Sequence, residues 1–539
     1  MSGIEERVGS REWRADVLII GGGPAGTWAA ISAAAKGASV VLADKGYCGA
    51  SGATAPSGTA VWYVEPEGPK RHQSKASRYA MGGYLAETAW MDRVLDQTYS
   101  NMQTLADWGY PFPLDSEGTQ RRISLQGPEY MRLMRKRAKQ AGVRILDHSP
   151  ALQLLTDQDG RVSGASGISR QKNQDWRVEA GAVVIATGGC AFLSRALGCN
   201  VLTGDGHLMA AEAGAQFSGM EFSNAYGLCP AFASVTKSAF YKFATFYHAD
   251  GRVMEGAGSA RGRSVIAKAL QSEAVYARLD KADADARAHI RLAQPNFILP
   301  FDRLGIDPFS QMFPVTLRLE GTVRGTGGLR IVDDQCATSV PGLYAAGDAA
   351  TRELICGGFT GGGSHNAAWA LSSGFWAGAG AAQFAQGNRL ANSTHLRGQG
   401  GAGLVDARGQ QLDPGKLITA VQDEVFPYQR NWFRHGDELQ ASLGRLDTLW
   451  QQVREAAPAS GSEQTLRLRE ATSMLAVSRW MYRSALERTE SRGMHRRTDY
   501  AGIDSAQRHR VISGGLDDVW TSHERLGPVD EQLLTGQAA

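Results

Sequence analysis

Glycines at fixed spacing carry the clearest chemistry in this chain. Gly21-Gly22-Gly23-Pro24-Ala25-Gly26 follows the apolar run Val17-Leu18-Ile19-Ile20 and leads into Thr27-Trp28-Ala29-Ala30-Ile31. Strand, glycine turn and small-residue helix in that order make a phosphate cradle: Gly21 permits the tight turn, Gly23 lets a pyrophosphate approach the backbone, and Gly26 lets helix and strand pack closely. The phosphates then rest on a helix N-terminus. A second strand, Ala38 to Ala43, ends at Asp44, whose carboxylate is placed to accept hydrogen bonds from ribose hydroxyls. Alone, GxGxxG is a weak signal in a chain with 65 glycines; the flanking strand, helix and acid make it specific.

Two further segments decide between dinucleotides. Ala182-Val183-Val184-Ile185-Ala186 runs into Thr187-Gly188-Gly189, and Leu343-Tyr344-Ala345-Ala346 runs into Gly347-Asp348. Both read as buried strands ending in glycine, and ligands of such sheets lie at the carboxyl ends of strands. Three cradles predict bound FAD, with Asp348 beside its ribityl chain.

The elements that position these residues must fill a large chain. At 539 residues, two or three domains are expected. Composition is that of a soluble enzyme, 43% hydrophobic and 21% charged, and no apolar run approaches the roughly 20 residues of a membrane span. The segment Met1 to Arg14 is charged and has no signal-peptide core, which predicts the cytoplasm. A net charge of +3 gives no argument for nucleic acid. Cys48, Cys190, Cys199, Cys229, Cys336 and Cys356 form no CxxC pair, so neither zinc nor an iron-sulfur cluster is written here and buried free thiols are expected.

The predicted fold is α/β: an FAD-binding Rossmann-like domain with an inserted α+β capping domain and a C-terminal helical domain. The first part of the FAD domain spans 1–231. It contains a basic helix from Gly127 to Gly142, the strand Val143 to Leu146, and a hairpin turning at Asp159-Gly160, read as a small antiparallel sheet beside the nucleotide domain. From 232 to 324 charged helices such as Glu273 to Ala293 form the cap, and the FAD domain resumes over 325–385. A glycine-rich flexible linker, 386–408, precedes the helical domain 409–539, where Leu439, Leu443, Leu446, Trp450 and Val453 follow helical spacing. Leu468, Ala471, Leu475 and Tyr482 continue it in a second helix.

Together these pieces resemble the flavoprotein subunits of the fumarate reductase and succinate dehydrogenase family, which includes L-aspartate oxidase and the adenylylsulfate reductase flavoprotein. The likeness extends through Thr203-Gly204-Asp205-Gly206, Ala213-Gly214-Ala215 and Met220-Glu221-Phe222 to Glu490-Ser491-Arg492-Gly493-Met494-His495-Arg496-Arg497-Thr498-Asp499-Tyr500. Besides the residues above, it implies FAD contacts at Lys45, Ser51, Gly52, Ala55, Gly58, Ala151, Asp205, Gly363 and Ser364. Gly52 stands where some members carry a flavin-linking histidine, which implies non-covalent FAD. Arg263, in Gly262-Arg263-Ser264-Val265-Ile266, takes the place of the family's proton-shuttling arginine. Its alternative is an arginine pairing with acids at the seam between cap and core.

The substrate contacts depart from the family. Tyr226 and Val323 stand where dicarboxylate-binding histidines are expected, and Thr360 where the carboxylate-clamping arginine is expected. An unpaired buried carboxylate is costly, so the reading is a substrate other than a simple C4 dicarboxylate. Tyr226, Arg324, Thr360 and His365 are the candidate substrate contacts, with a structural role the alternative for His365. Hydride transfer at flavin N5 is paired with a proton moved by Arg263. Electrons pass to or from a separate ferredoxin-like iron-sulfur partner. The alternatives are direct use of oxygen, as in L-aspartate oxidase, or a non-catalytic electron-transfer subunit; substrate identity, direction and oligomeric state stay open.

Overall fold

The structure is a computed structural model that describes residues 4–6, 11–115, 117–236, 238–258, 262–360, 363–388, 395–404 and 409–535. Its centre is a nine-stranded sheet. The order runs Arg397–Gly398, Ala151–Thr156, Val162–Ser169, Gln174–Ile185, Glu12–Ile20, Val40–Ala43, Arg144–Leu146, with Leu343–Ala345 also beside Gln174–Ile185 and Glu5–Glu6 beside Glu12–Ile20.

One long strand makes this a single sheet. Gln174–Ile185 pairs antiparallel with Val162–Ser169 along its first half and parallel with Leu343–Ala345 at its end. Its sequence changes accordingly: exposure alternates at the start, and the last six residues are all buried, as expected where a strand passes from one covered face to two. The hairpin expected as a separate sheet is therefore continuous with the nucleotide-binding sheet.

Against it lie the helices Pro24–Ala35 and Gly363–Gly387. They meet backbone to backbone. A Cβ added at Gly374 would lie 2.3 Å from the Ala25 carbonyl oxygen, and one at Gly378 2.1 Å from that of Ala29. The small-residue composition of both helices thus reflects close approach. Leu343–Ala345 and Gly363–Gly387 return to the central sheet after a long excursion.

That excursion is the cap, built on a four-stranded antiparallel sheet ordered Ala225–Pro230, Phe313–Glu320, Val275–Arg278, Thr245–Tyr247. Its first strand lies upstream of the expected boundary at 232. The stretch Glu273 to Ala293 is not one helix. Val275 and Ala277 are buried in alternation within a strand, and the helix starts only at Ala284–Ala293, where the Asp283 carboxylate accepts from Ala286 N at 2.8 Å.

The C-terminal region contains the expected antiparallel pair, Gly436–Glu455 and Ser462–Glu487, with Leu439, Leu443, Leu446, Trp450 and Val453 buried on the first. It also supplies two strands, His509–Gly514 and Trp520–Arg525, to a sheet with Phe217–Ser218 and Gly328–Leu329 of the first domain. Within the expected linker, Gln386 and Gly387 end a helix and Arg397–Gly398 pairs with Ala151–Thr156. Residues 389–394 and 405–408 lie outside the described residues. All six cysteines are buried free thiols. Among the described residues, no helix is long and apolar enough to cross a membrane.

A buried ionic chain joins these parts. Arg488 pairs with Glu221 (2.8 Å) and Glu490 (2.8 Å), and Glu490 pairs with Arg492 (2.6 Å). Arg492 also donates to the Gly83 carbonyl. Nearby, burial and Glu221 push the Glu353 carboxyl up to about 7. Glu490→Gln leaves Arg488 and Arg492 short of a buried counter-charge, and the expected cost is about 3–5 kcal/mol, read as a lowered thermal midpoint. Glu353 favours the folded state in its protonated form, so its contribution is full below the ordinary carboxyl range and is lost as pH rises towards 7. Glu353→Gln should flatten that part of the stability profile in denaturant titrations across pH 4 to 8.

Candidate active site

Parallel pairing brings the three glycine segments to one edge of the sheet. Ile20 lies opposite Ile185, and Ile185 opposite Ala345, so Gly21, Ala186-Thr187-Gly188 and Gly347-Asp348 emerge side by side. They line a cavity of about 650 Å³, within the roughly 300–1,000 Å³ range of small-molecule and cofactor sites.

The cradle has the shape an extended dinucleotide requires. Gly21 has φ +110°, and a Cβ there would meet the Ala186 carbonyl oxygen at 2.2 Å, so only glycine serves. A Cβ on Gly26 would lie 1.8 Å from the Gly21 oxygen, whereas one on Gly23 meets nothing within 4 Å. The helix needs Gly26 for packing; the space before Gly23 belongs to a ligand. Asp44 is fixed by its neighbours, accepting from Gly22 N (2.6 Å), Gly46 N (2.7 Å) and Ser51 Oγ (2.7 Å). These residues suit an FAD with its pyrophosphate at the start of Pro24–Ala35 and its ribose beside Asp44.

Of the expected contacts, Gly21, Gly23, Pro24, Ala25, Asp44, Lys45, Ser51, Gly52, Gly58, Ala151, Ala186, Thr187, Gly188, Asp205, Gly347 and Asp348 line this cavity, together with Arg263 and Arg324. Others do not. Gly26 packs beneath the cradle. Ala55 is buried in an apolar cluster with Tyr130 and Leu125, which themselves line the cavity. Gly363 starts the long helix, and the Ser364 hydroxyl lies against His365 Nδ1 at 3.2 Å. Lys45 reaches the cavity wall with its charge already matched: its Nζ is 2.7 Å from Asp205 and 2.6 Å from Glu470. Burial works against that charge, but the two acids outweigh it and hold the lysine above its ordinary value.

Three expected substrate contacts are turned away. The Tyr226 hydroxyl donates to the Val425 carbonyl at 2.9 Å, with the ring against Trp432 and Tyr428 at the seam with the C-terminal region. Thr360 donates to the Arg324 carbonyl at 2.9 Å. His365 is buried, accepts from Arg78 Nε at 3.0 Å and packs on Trp62; burial and the adjacent Arg78 hold its imidazole well below the ordinary value, so it stays neutral in a structural role. Each residue prefers an available buried partner to an open cavity.

Arg263 and Arg324 remain at the wall. Arg263 Nη1 donates to the Tyr226 carbonyl at 2.9 Å. Burial, with the fields of Arg324 and Arg496, pushes its guanidinium down to about 10, against the opposing effect of Glu320. Arg324 pairs with the fully buried Glu320 at 3.1 Å, whose other oxygen accepts from Thr236 at 2.8 Å. One buried arginine beside the site carries no motif in the sequence. Arg352 is completely buried and binds Asp348 together with the carbonyls of Thr322, Val323 and Gly325, so it fixes the FAD-side acid and the turn bearing Arg324 at once. Its one sequence signal is the i,i+4 spacing from Asp348.

Residues 16–226 match the model of an FAD binding domain, and residues 424–525 match that of the fumarate reductase flavoprotein C-terminus. The chain belongs to the fumarate reductase and succinate dehydrogenase flavoprotein family. As a member of that family it binds FAD and is an FAD-dependent oxidoreductase. It is 28% identical to an L-aspartate oxidase of Streptomyces coelicolor over 94% of this chain and 93% of that protein. It is 25% identical to a CoM/CoB fumarate reductase subunit of Methanothermobacter marburgensis, over 91% and 95%. The fold is shared with E. coli quinol fumarate reductase, at TM-score 0.79 and 20% identity, covering 96% of this chain and 98% of the other.

Two glycines of this family cradle should separate packing from cofactor contact. Gly26→Ala is expected to destabilise by about 1–3 kcal/mol, seen in thermal unfolding. Gly23→Ala should fold with an unchanged midpoint for the apoprotein yet purify with less FAD, measured from the ratio of flavin to protein absorbance.

Proposed function

We propose that this flavoprotein oxidises or reduces a small organic substrate other than a simple C4 dicarboxylate, with Arg263 exchanging the proton. The observation that carries this is Arg263 itself: it lines the cavity, has its lone side-chain hydrogen bond among the described residues to a carbonyl, and has its proton affinity lowered to about 10 by burial and neighbouring arginines. FAD, when bound, supplies the hydride exchange at N5. The Tyr226 carbonyl orients the guanidinium, leaving its other nitrogens for the substrate. From the cap, Asn296 Nδ2 donates to the Pro56 carbonyl at 2.8 Å, which draws the cap towards the cavity-lining loop and limits water. The positions of Tyr226 and Thr360 support a substrate other than a C4 dicarboxylate, since neither supplies the missing carboxylate contact.

Arg263→Gln should lower turnover by about 10²–10⁴-fold with flavin content unchanged; unchanged turnover would remove Arg263 from the mechanism. In the direction that consumes a proton, the wild-type rate should decline as pH rises through about 10, because the donor is then lost. Gly52, on the cavity wall where other members carry a histidine, supports non-covalent FAD. Acid precipitation should release the flavin into the supernatant, and colour retained on the polypeptide would contradict this.

We assign the electrons to a separate ferredoxin-like iron-sulfur protein, a reading supported by the relative named as a fumarate reductase subunit. The likeness to L-aspartate oxidase favours a second reading, direct reaction with oxygen. Anaerobic photoreduction followed by air separates them: prompt reoxidation with peroxide indicates the oxidase, slow reoxidation the protein partner. The six free thiols support a reducing, cytoplasmic setting.

A further inference from the structure

A second cavity, of about 440 Å³, lies outside the FAD cavity and shares no lining residue with it. One wall is the loop Tyr47-Cys48-Gly49, and the other is the helix Gly127–Gln140. Arg132, Arg135, Lys136 and Lys139 border it at i, i+3, i+4 and i+7, so four cations share one helical face and each repels the next. Among the described residues, no acid lines the space.

Two of the four are answered from outside the groove. Arg135 Nη1 and Nη2 lie 2.8 and 2.7 Å from the two oxygens of Asp147, and Arg132 meets Glu129 at 2.6 Å in a pair open to solvent. Lys136 and Lys139 are exposed and have no acid within ion-pair distance among the described residues. Because the Arg135 fork is already filled, the charge left over is ammonium, which holds phosphate as a point charge rather than gripping a planar carboxylate. The row of cations extends about 10 Å along the helix, room for successive phosphate groups. At its edge Tyr47 is 46% exposed, its ring held under the Arg135 guanidinium at 4.0 Å, and offers an aromatic surface to a base or sugar.

The loop ties this groove to the FAD cradle. Cys48 N donates to Asp147 at 2.8 Å, and the Cys48 carbonyl accepts from Arg135 at 2.9 Å. The thiol of the same residue turns the other way and lies 3.5 Å from the Gly22 carbonyl. On either side of it, Gly46 N and Ser51 Oγ hold the Asp44 carboxylate. A ligand against Tyr47-Cys48-Gly49 therefore steadies the loop that carries the ribose-binding acid.

We propose that this groove binds an oligophosphate, with its phosphates along Lys136 and Lys139, and that its occupation tightens the hold on FAD by fixing the loop from Asp44 to Ser51. The site goes beyond the oxidoreductase reading and does not depend on the reaction. A nucleoside triphosphate and a bare polyphosphate share the chemistry that the lysines recognise, and Tyr47 distinguishes them.

Calorimetric titration of ATP and of tripolyphosphate into the FAD-loaded full-length protein, whose cradle is already filled, tests the site. Both should bind, with affinity falling as salt rises, and adenosine should not. Combining Lys136→Gln with Lys139→Gln, at two exposed positions, should weaken both ligands by at least about tenfold, and the paired Lys→Arg changes should retain them. In Tyr47→Leu, weaker ATP with unaltered tripolyphosphate identifies a nucleotide as the occupant; unaltered binding of both identifies the bare phosphate chain. Saturating tripolyphosphate should also slow release of FAD from the diluted holoprotein by about fivefold, followed by flavin fluorescence, and should not do so in the double glutamine variant. Absence of binding, adenosine binding as tightly as ATP, or undiminished binding in the double variant overturns the site. Unaltered or faster FAD release at saturation overturns its link to the loop. The wild-type comparison of ATP with adenosine decides the first question even if the double variant does not fold.

Discussion

Arg488, held between Glu221 and Glu490 with no solvent contact, is the interaction on which the placement of the site depends. Buried ion pairs contribute little net stability, because desolvation offsets attraction. What this one supplies is registration. Glu221 closes the first domain just before the chain enters the cap, Arg488 ends the long C-terminal helix, and Glu490 passes the constraint to Arg492 and the Gly83 carbonyl. Five residues beyond Glu221, the Tyr226 carbonyl holds Arg263. The orientation of the guanidinium is thus tied to the C-terminal region as well as to the cap that carries it.

The two ends of the cavity treat charge differently. At the nucleotide end, Lys45 is matched by Asp205 and Glu470, so phosphate must be met by backbone N–H groups at the start of Pro24–Ala35 rather than by a free lysine. Under the cap, Arg263 faces no acid within ion-pair distance among the described residues, and burial keeps its charge costly. One end is prepared for a resident cofactor by backbone geometry; at the other, Arg263 lies among Arg324, Arg496 and Glu320, and burial outweighs the acid.

The sequence revealed the cradle clearly because glycine is demanded there by sterics that leave no alternative: a Cβ at Gly21 or Gly26 would penetrate a carbonyl oxygen. The Gly436–Glu455 helix was equally legible, since one buried stripe imposes helical spacing. The rest failed for physical reasons. Charged residues between Glu273 and Ala293 suggested a helix, yet the local alternation of Val275 and Ala277 answers to neighbouring strands. Nothing in the motif around Tyr226 showed that its hydroxyl would find the Val425 carbonyl. Arg352 was hidden because an arginine's role depends on which acids and carbonyls the fold brings to it from far along the chain.

The cysteines carry a consequence for the lifetime of such a protein. All six are buried, and burial pushes the Cys48 thiol up to about 12 and the Cys229 thiol up to about 11, with Cys190, Cys336 and Cys356 also raised. Oxidants attack the thiolate, which these positions suppress. A flavin that leaks electrons to oxygen generates peroxide beside its own polypeptide. Here the sulfur atoms are stored in a form that reacts slowly with that by-product, so wear during turnover should fall first on exposed Met81 and Met312 rather than on the thiols of the core.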